Sequence, residues 1–213
     1  MTISTNWSSF LNQEKTKSYF QEMWSFLEKQ YQQKNIFPKK EQIFRCFEYF
    51  NVEQLKVVII GQDPYYIKGY ANGLAFAVNN DCKVPKSLIN IFKEIQNEFN
   101  CCCHDKTLVS WAKQGILLIN KSLTVEENKP NSHANIGWHH FLTNLIDYLN
   151  SLPQTIVFVL WGNQAKQLQS LINIKKHKVV HCAHPSPLSA NKGFFNSNCF
   201  IKINSFLKQP IKW

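Results

Sequence analysis

Lys56-Val57-Val58-Ile59-Ile60-Gly61-Gln62-Asp63-Pro64-Tyr65-Tyr66 is the stretch whose reading decides the fold. Four consecutive β-branched residues closed by glycine predict a strand buried on both faces, since a half-exposed strand would alternate apolar with polar. Three further runs share this character: residues 115–119 ahead of Asn120, 155–160 ahead of Trp161 and Gly162, and 178–182 ahead of His184. Helix-like stretches separate them, roughly 87–99, 138–150 and 164–173. Strands alternating with helices over these lengths require crossover connections and a parallel sheet covered on both faces. The expected fold class is α/β: a single domain, residues 1–213, with a central four-stranded, mainly parallel sheet flanked by helices. Residues 1–50 form its N-terminal helical region. There Phe20, Trp24, Leu27 and Tyr31 recur at helical spacing, Pro38 interrupts, and Ile43, Phe44, Phe47 and Phe50 predict a second short helix.

The polar residues follow the strands. Asp63 comes after the first, Asn120 after the second, Asn163 after the third and His184 after the fourth. Ligand sites in open parallel sheets form outside the carboxyl ends of the strands, so these segments are expected to converge on one edge. Polar turn residues at strand ends would produce the same pattern without a site.

Composition bounds the function classes. Net charge is +10, and 23 of the 24 basic residues are lysine, Arg45 being the exception. A polyanion partner fits, because lysines neutralise phosphates without reading bases; a lysine-rich solvated surface fits equally. A single arginine argues against base reading by guanidinium forks. No apolar run is long enough to cross a bilayer, and Met1-Thr2-Ile3-Ser4-Thr5-Asn6 does not read as a secretory leader, so no membrane partner is expected. Seven cysteines without a leader predict reduced thiols in the cytoplasm. Cys101-Cys102-Cys103, followed by His104, lacks the spacing of a tetrahedral metal site, so neither metal nor cofactor is expected, and the run has no assigned role. Phosphate-loop, dinucleotide-binding and serine-elbow motifs are absent from the sequence.

Gly61-Gln62-Asp63-Pro64-Tyr65-Tyr66 and His184-Pro185-Ser186-Pro187-Leu188-Ser189 resemble the two diagnostic segments of the uracil-DNA glycosylase family, in its main uracil-N-glycosylase branch. Gly73-Leu74-Ala75-Phe76, Leu118-Ile119-Asn120, Asn131-Ser132-His133, Leu160-Trp161-Gly162 and Pro210-Ile211-Lys212-Trp213 extend the resemblance, in family order, from about Phe37 to the C-terminus. The resemblance implies a monofunctional glycosylase that hydrolyses the N-glycosidic bond of deoxyuridine in single- and double-stranded DNA and leaves an abasic site for base excision repair. By the same resemblance Asp63 and His184 are catalytic. Asp63 stabilises the oxocarbenium-like sugar and orients water, and His184 donates a hydrogen bond to uracil O2. Gln62, Tyr65, Tyr66, Phe76 and Asn120 form the base pocket: Phe76 stacks on uracil, Asn120 pairs with its O4/N3 edge, and Tyr65 blocks the methyl group of thymine. Ser87, Ser186 and Ser189 hold DNA phosphates, and Leu188 enters the space vacated by the flipped nucleotide. A monomer suffices for this chemistry, and a proteinaceous glycosylase inhibitor is a further expected partner.

Several positions depart from the family pattern. Tyr66 stands where histidine is usual, Asn72 replaces another histidine, and Asn163 a small residue. The proline-rich loop before Ser87 is reduced to Lys83-Val84-Pro85-Lys86. Tyrosine keeps a hydroxyl but cannot become cationic near neutral pH. The competing reading, to which Tyr66 gives room, is a DNA-binding or scaffold protein that keeps the fold with weak or lost catalysis.

Overall fold

The computed structural model describes residues 5–213. Residues 1–4 of the expected N-terminal helical region, and the reading of the first residues as lacking a leader, lie outside the described residues. Helices α1 (Thr5–Lys15) and α2 (Ser18–Gln33) open the chain. α2 buries Phe20, Met23 and Leu27, and packs the flanks of Trp24 and Tyr31 against the core. The second short helix is replaced by 3-10 turns at Lys40–Gln42 and Arg45–Phe47. Phe44, Phe47 and Phe50 recur every third residue, the spacing at which side chains eclipse in a 3-10 turn, so one apolar face forms without an α-helix. A two-residue strand β1 (Ile36–Phe37) pairs antiparallel with β4 (Val125–Glu126), a ribbon too short for a sequence pattern to announce.

The main sheet contains β2 (Val57–Gly61), β3 (Ile116–Asn120), β5 (Val157–Trp161) and β6 (Lys178–Cys182), ordered β3-β2-β5-β6 and parallel throughout. All five residues of β2, β3 and β5 are buried, as a sheet covered on both faces demands. β6 is an edge strand that exposes Lys178 and His181 and buries Val180 and Cys182. A charged, partly solvated edge discourages pairing with another chain. The covering helices are α3 (Lys86–Phe99), α4 (Val109–Ala112), α5 (Trp138–Ser151) and α7 (Cys199–Ser205). The helix expected over 164–173 is the single turn α6 (Asn163–Lys166) followed by a 3-10 segment, Gln167–Leu171. Between them these pieces bury only Ala165, too little apolar surface to hold a longer helix against the sheet.

The N-terminal helices are bound to the rest by an aromatic cluster. Phe141 on α5 lies within ring contact of Phe10, Phe20, Phe44, Phe47 and Trp138, with centroids 5.6–6.3 Å apart. Beside it the buried Glu14 carboxylate accepts hydrogen bonds from Tyr19 and Asn144 and an ion pair from Lys17 at 2.6 Å. A buried carboxylate supplied with three donors fixes the α1–α5 approach without an uncompensated charge. Phe141→Ala should therefore cost about 3–5 kcal/mol, as for other large aromatic truncations. Urea unfolding would show a lowered midpoint; a midpoint equal to wild type would contradict the central place of this ring.

Candidate active site

From β2 the chain passes to β3 on one side and later returns to place β5 on the other, so the strand order reverses between β2 and β5. Loops leaving the carboxyl ends of neighbouring strands diverge at such a point and leave a crevice. A cavity of about 180 Å³ opens there, lined by Gln62, Asp63, Tyr65, Tyr66, Phe76, Ser87, Asn120 and His184, among others. Three of the four polar residues expected to converge do so. Asn163 does not: it is exposed as the first residue of α6, which carries it away from the cavity.

The floor is made by Gly61 and Asn120, register partners at the ends of β2 and β3. A Cβ at Gly61 would run into Oδ1 of Asn120 and lie 3.1 Å from Ala75 Cβ. Glycine here is what lets the buried Asn120 carboxamide lie across the strand end towards the cavity, where a planar ligand edge can pair with it. Phe76 reaches the site from a strained backbone, at φ +66°. The turn before it is held by Asn72, whose buried side chain donates to the carbonyls of Val78 (3.4 Å) and Thr107 (3.1 Å) and accepts from Leu74 N–H. Asn72, flagged by sequence as a departure, is thus a structural bracket. The lone arginine belongs to the same bracket, donating to the carbonyl of Asn72 at 3.2 Å. The Phe76 ring is set edge-on to Trp161 (5.2 Å between centroids) and tilted to His184 (5.7 Å). Tyr65 closes the opposite wall, its hydroxyl donating to the carbonyl of Phe76 at 3.3 Å.

Main-chain donors position both titratable groups. Asn131 N–H donates to Asp63 Oδ2 at 2.8 Å, and the Asn131 side chain accepts from Gln62 Nε2 at 2.5 Å. Burial pushes the Asp63 carboxyl above the ordinary carboxylate range, while the N–H groups of Asn131 and of Asp63 itself oppose the rise. The buried Asp63 carboxyl is thus more basic than an ordinary aspartate. Ser186 N–H donates to His184 Nδ1 at 3.0 Å. An Nδ1 that accepts cannot carry a proton, so the neutral ring holds its proton on Nε2. Burial lowers the His184 pKa from its ordinary value, which keeps the ring neutral at pH 7. Gly162 allows this placement, since a Cβ there would stand 2.9 Å from His184 Cβ.

The 184–189 loop is tied together from within. Ser189 Oγ donates to the His184 carbonyl (2.8 Å) and lies 2.9 Å from Ser186 Oγ, and Asn90 Nδ2 on α3 donates to the Pro185 carbonyl at 2.8 Å. Leu188 projects from this frame at 86% exposure, an apolar side chain with nothing of its own chain to cover it. Ser87, in the first turn of α3, faces the same mouth, with exposed Lys83 and Lys86 just before it. Tyr66 sits at the rim, 39% exposed, and its carbonyl accepts from Asn128 N–H at 3.0 Å. Asn131, Gly162, Trp161 and Asn90 were not assigned site roles by sequence. Asn131 acts on Asp63 through its backbone, which no side-chain pattern reports. His133, two residues on, is buried against Thr124 Oγ1 at 2.8 Å, and burial lowers its pKa to about 4. Among the described residues no three His, Cys, Asp or Glu side chains are grouped to hold a metal ion, the 101–104 run included.

A family profile described as the uracil DNA glycosylase superfamily matches residues 47–208. The uracil-DNA glycosylase of Mycoplasmopsis pulmonis is 48% identical over 219 residues, spanning 100% of this chain and 99% of the relative. That of Exiguobacterium sibiricum is 42% identical over 216 residues, spanning 99% of each. Among solved structures, mimivirus uracil-DNA glycosylase superposes with a TM-score of 0.90 at 33% identity, covering 97% of this chain and 85% of that one. A variant of the mimivirus protein in complex with UGI matches with a TM-score of 0.91 at 32% identity, covering 97% and 87%.

The Ser186–His184 hydrogen bond makes a prediction independent of any activity. Nitrogen-15 NMR at pH 7 should show a pyridine-type Nδ1 and a protonated Nε2 for His184. The ring should titrate only below the ordinary histidine pKa of about 6.5. A proton on Nδ1 at neutral pH would contradict the assignment.

Proposed function

The chain belongs to the uracil-DNA glycosylase superfamily, and from that premise we infer how its own residues carry out the reaction. It is a uracil-DNA glycosylase of base excision repair: it hydrolyses the N-glycosidic bond of deoxyuridine in DNA. The observation that carries the residue assignment is the facing of a main-chain-held carboxylate, Asp63, and a neutral Nε2-protonated imidazole, His184, across one small cavity.

The bond is inaccessible in a stacked duplex, so the nucleotide must swing out into the cavity. As the C1′–N1 bond breaks, its electron pair moves onto uracil and positive charge grows on the sugar. Asp63 stands beside that charge. It stabilises the oxocarbenium-like sugar and takes the proton of the attacking water, whose hydroxyl becomes bonded to C1′ while uracil leaves with the electron pair as its anion. His184 Nε2–H donates to uracil O2, and this bond strengthens as negative charge gathers there, so it favours the transition state over the bound substrate. Neutrality is useful in this role, because the ring stabilises charge without having to transfer a proton. Gln62 contributes polar lining, Phe76 stacks on the base, and Asn120 pairs with its O4/N3 edge. Cytosine would set a donor against the donor of Asn120 and leave buried groups mismatched. The Tyr65 ring, braced through Phe76, occupies the space a thymine methyl group would need. Ser87, Ser186 and Ser189 hold phosphates, and Leu188 fills the gap left by the flipped nucleotide, offsetting part of the unstacking cost. Uracil-containing single and double strands are both substrates on this reading.

The site is completed within one chain, which supports a monomeric working form, and cysteine usage supports a cytoplasmic setting. A protein inhibitor that covers the DNA-binding face is a further partner, supported by the likeness to the mimivirus protein solved with UGI. The lack of any need for metal in this chemistry sets the conditions of the test. Purified protein should act on a uracil oligonucleotide in EDTA, and alkali should then break the strand at the uracil position; strands left intact would sink the reading. Tyr65→Ala should admit thymine, raising its release at least about tenfold, the scale of one methyl-sized discrimination. Tyr66→His should raise kcat and add a pH limb near about 6.5, the ordinary histidine value. An unchanged rate and pH profile would mean that Tyr66 lies outside the reaction.

A further inference from the structure

A second cavity, of about 400 Å³, adjoins the catalytic one. The two share a wall: Gln62 lines both, and Asn131, which accepts the Gln62 hydrogen bond and donates its N–H to Asp63, lines the second. Lys121, Asn135, His139 and Gln164 also face this cavity, and none of its lining residues is acidic. Lys121 directly follows Asn120. Successive side chains leave a strand end in opposite directions, and here Asn120 lines the base pocket while Lys121 lines its neighbour. The Lys121 backbone is fixed by its N–H donating to the Gly61 carbonyl at 3.0 Å, and no carboxylate lies within ion-pair distance of its ammonium among the described residues. Burial and the neighbouring His140 lower the His139 pKa, and Lys121 is the one lysine or arginine among the lining residues of this cavity.

We propose that this second cavity is a phosphate subsite, in which Lys121, assisted by the amides of Asn135 and Gln164, holds a phosphodiester of the same DNA strand next to the flipped nucleotide. The proposal rests on the reading of the first cavity as the uracil site. The phosphate contacts assigned so far, Ser87, Ser186 and Ser189, belong to α3 and the 184–189 loop bound to it. Lys121, Asn135 and Gln164 come instead from the loops after β3, before α5 and within α6. A polyanion whose base enters the first cavity must leave its mouth in two directions, and the second cavity supplies donors from elements other than those that carry the serines. A cation held beside, and not inside, the catalytic pocket anchors the backbone without placing a positive charge against the developing sugar cation. Lys121 is therefore a substrate-positioning residue.

The test is the salt dependence of kcat/KM on a uracil-containing single-stranded oligonucleotide. Each neutralised phosphate contributes a slope of about 0.7 to log affinity against log salt on single strands. Lys121→Gln should raise KM severalfold at low salt with little change in kcat, and should reduce the slope by about 0.7. Lys121→Arg should restore the wild-type slope. Lys113→Gln, which removes an exposed lysine at the opposite end of β3, should leave the slope unchanged. A wild-type slope in Lys121→Gln, or an equal loss in Lys113→Gln, would overturn the subsite. A kcat loss in Lys121→Gln that Lys121→Arg does not restore would assign the lysine a structural role and overturn it as well. Failure of the uracil reading is separate, since wild-type protein would then release no uracil at any salt concentration.

Discussion

The pairing of Gly61 with Asn120 across β2 and β3 is the contact on which the site depends. Parallel pairing brings two strand ends level, so whatever follows each strand emerges at the same edge. The absence of a side chain at Gly61 then leaves room for the Asn120 carboxamide over that edge. The same need for close approach recurs on the other side of the crevice, where Gly162 lets His184 settle beside the end of β5. Two glycines thus determine how near the polar groups of three strands can come to one another. Any side chain at either position would push apart polar groups that line the cavity.

Electrostatics at the site are set by the backbone more than by charged neighbours. The chain carries a net charge of +10, yet Asp63 is held by an amide N–H and His184 by another. A lysine against Asp63 would stabilise its charge and lower its pKa. An amide donor orients the carboxylate without adding a charge, and burial raises its pKa. A carboxylate against His184 would raise its pKa and favour the imidazolium; the Ser186 amide instead fixes a neutral tautomer. Among the described residues no lysine lines this cavity, while Lys83 and Lys86 stand exposed just before Ser87.

Much of the fold was legible because parallel strands buried on both faces leave an unmistakable mark. The runs at 57–61, 116–120, 157–161 and 178–182 were read to within about two residues at either end, as boundaries generally permit. The misreadings share a cause. The 40–50 segment and the stretch after Trp161 have helix-like spacing, but packing resolved the first into 3-10 turns and the second into one α-helical turn and a 3-10 segment that bury only Ala165. Asn163 was grouped with the strand-end residues because it follows a strand, but the glycine before it turns the chain so that it starts α6 in solvent.

By itself, the sequence determined the kinds of groups available and their order: a carboxylate, an amide and an imidazole, each at or just beyond the end of a strand. It also determined the sheet type, because long apolar runs cannot be solvated on either face. Only the tertiary structure decided which strand lies beside which, and so which of the four strand ends share a crevice. It alone made Asn131 the partner of Asp63, through a backbone N–H that every non-proline residue carries and whose direction depends on a left-handed turn at φ +63°. It likewise sent Asn120 and Lys121, neighbours in the chain, into two different cavities. Local chemistry is written residue by residue, whereas the meeting of distant groups depends on crossover connections that no local pattern encodes.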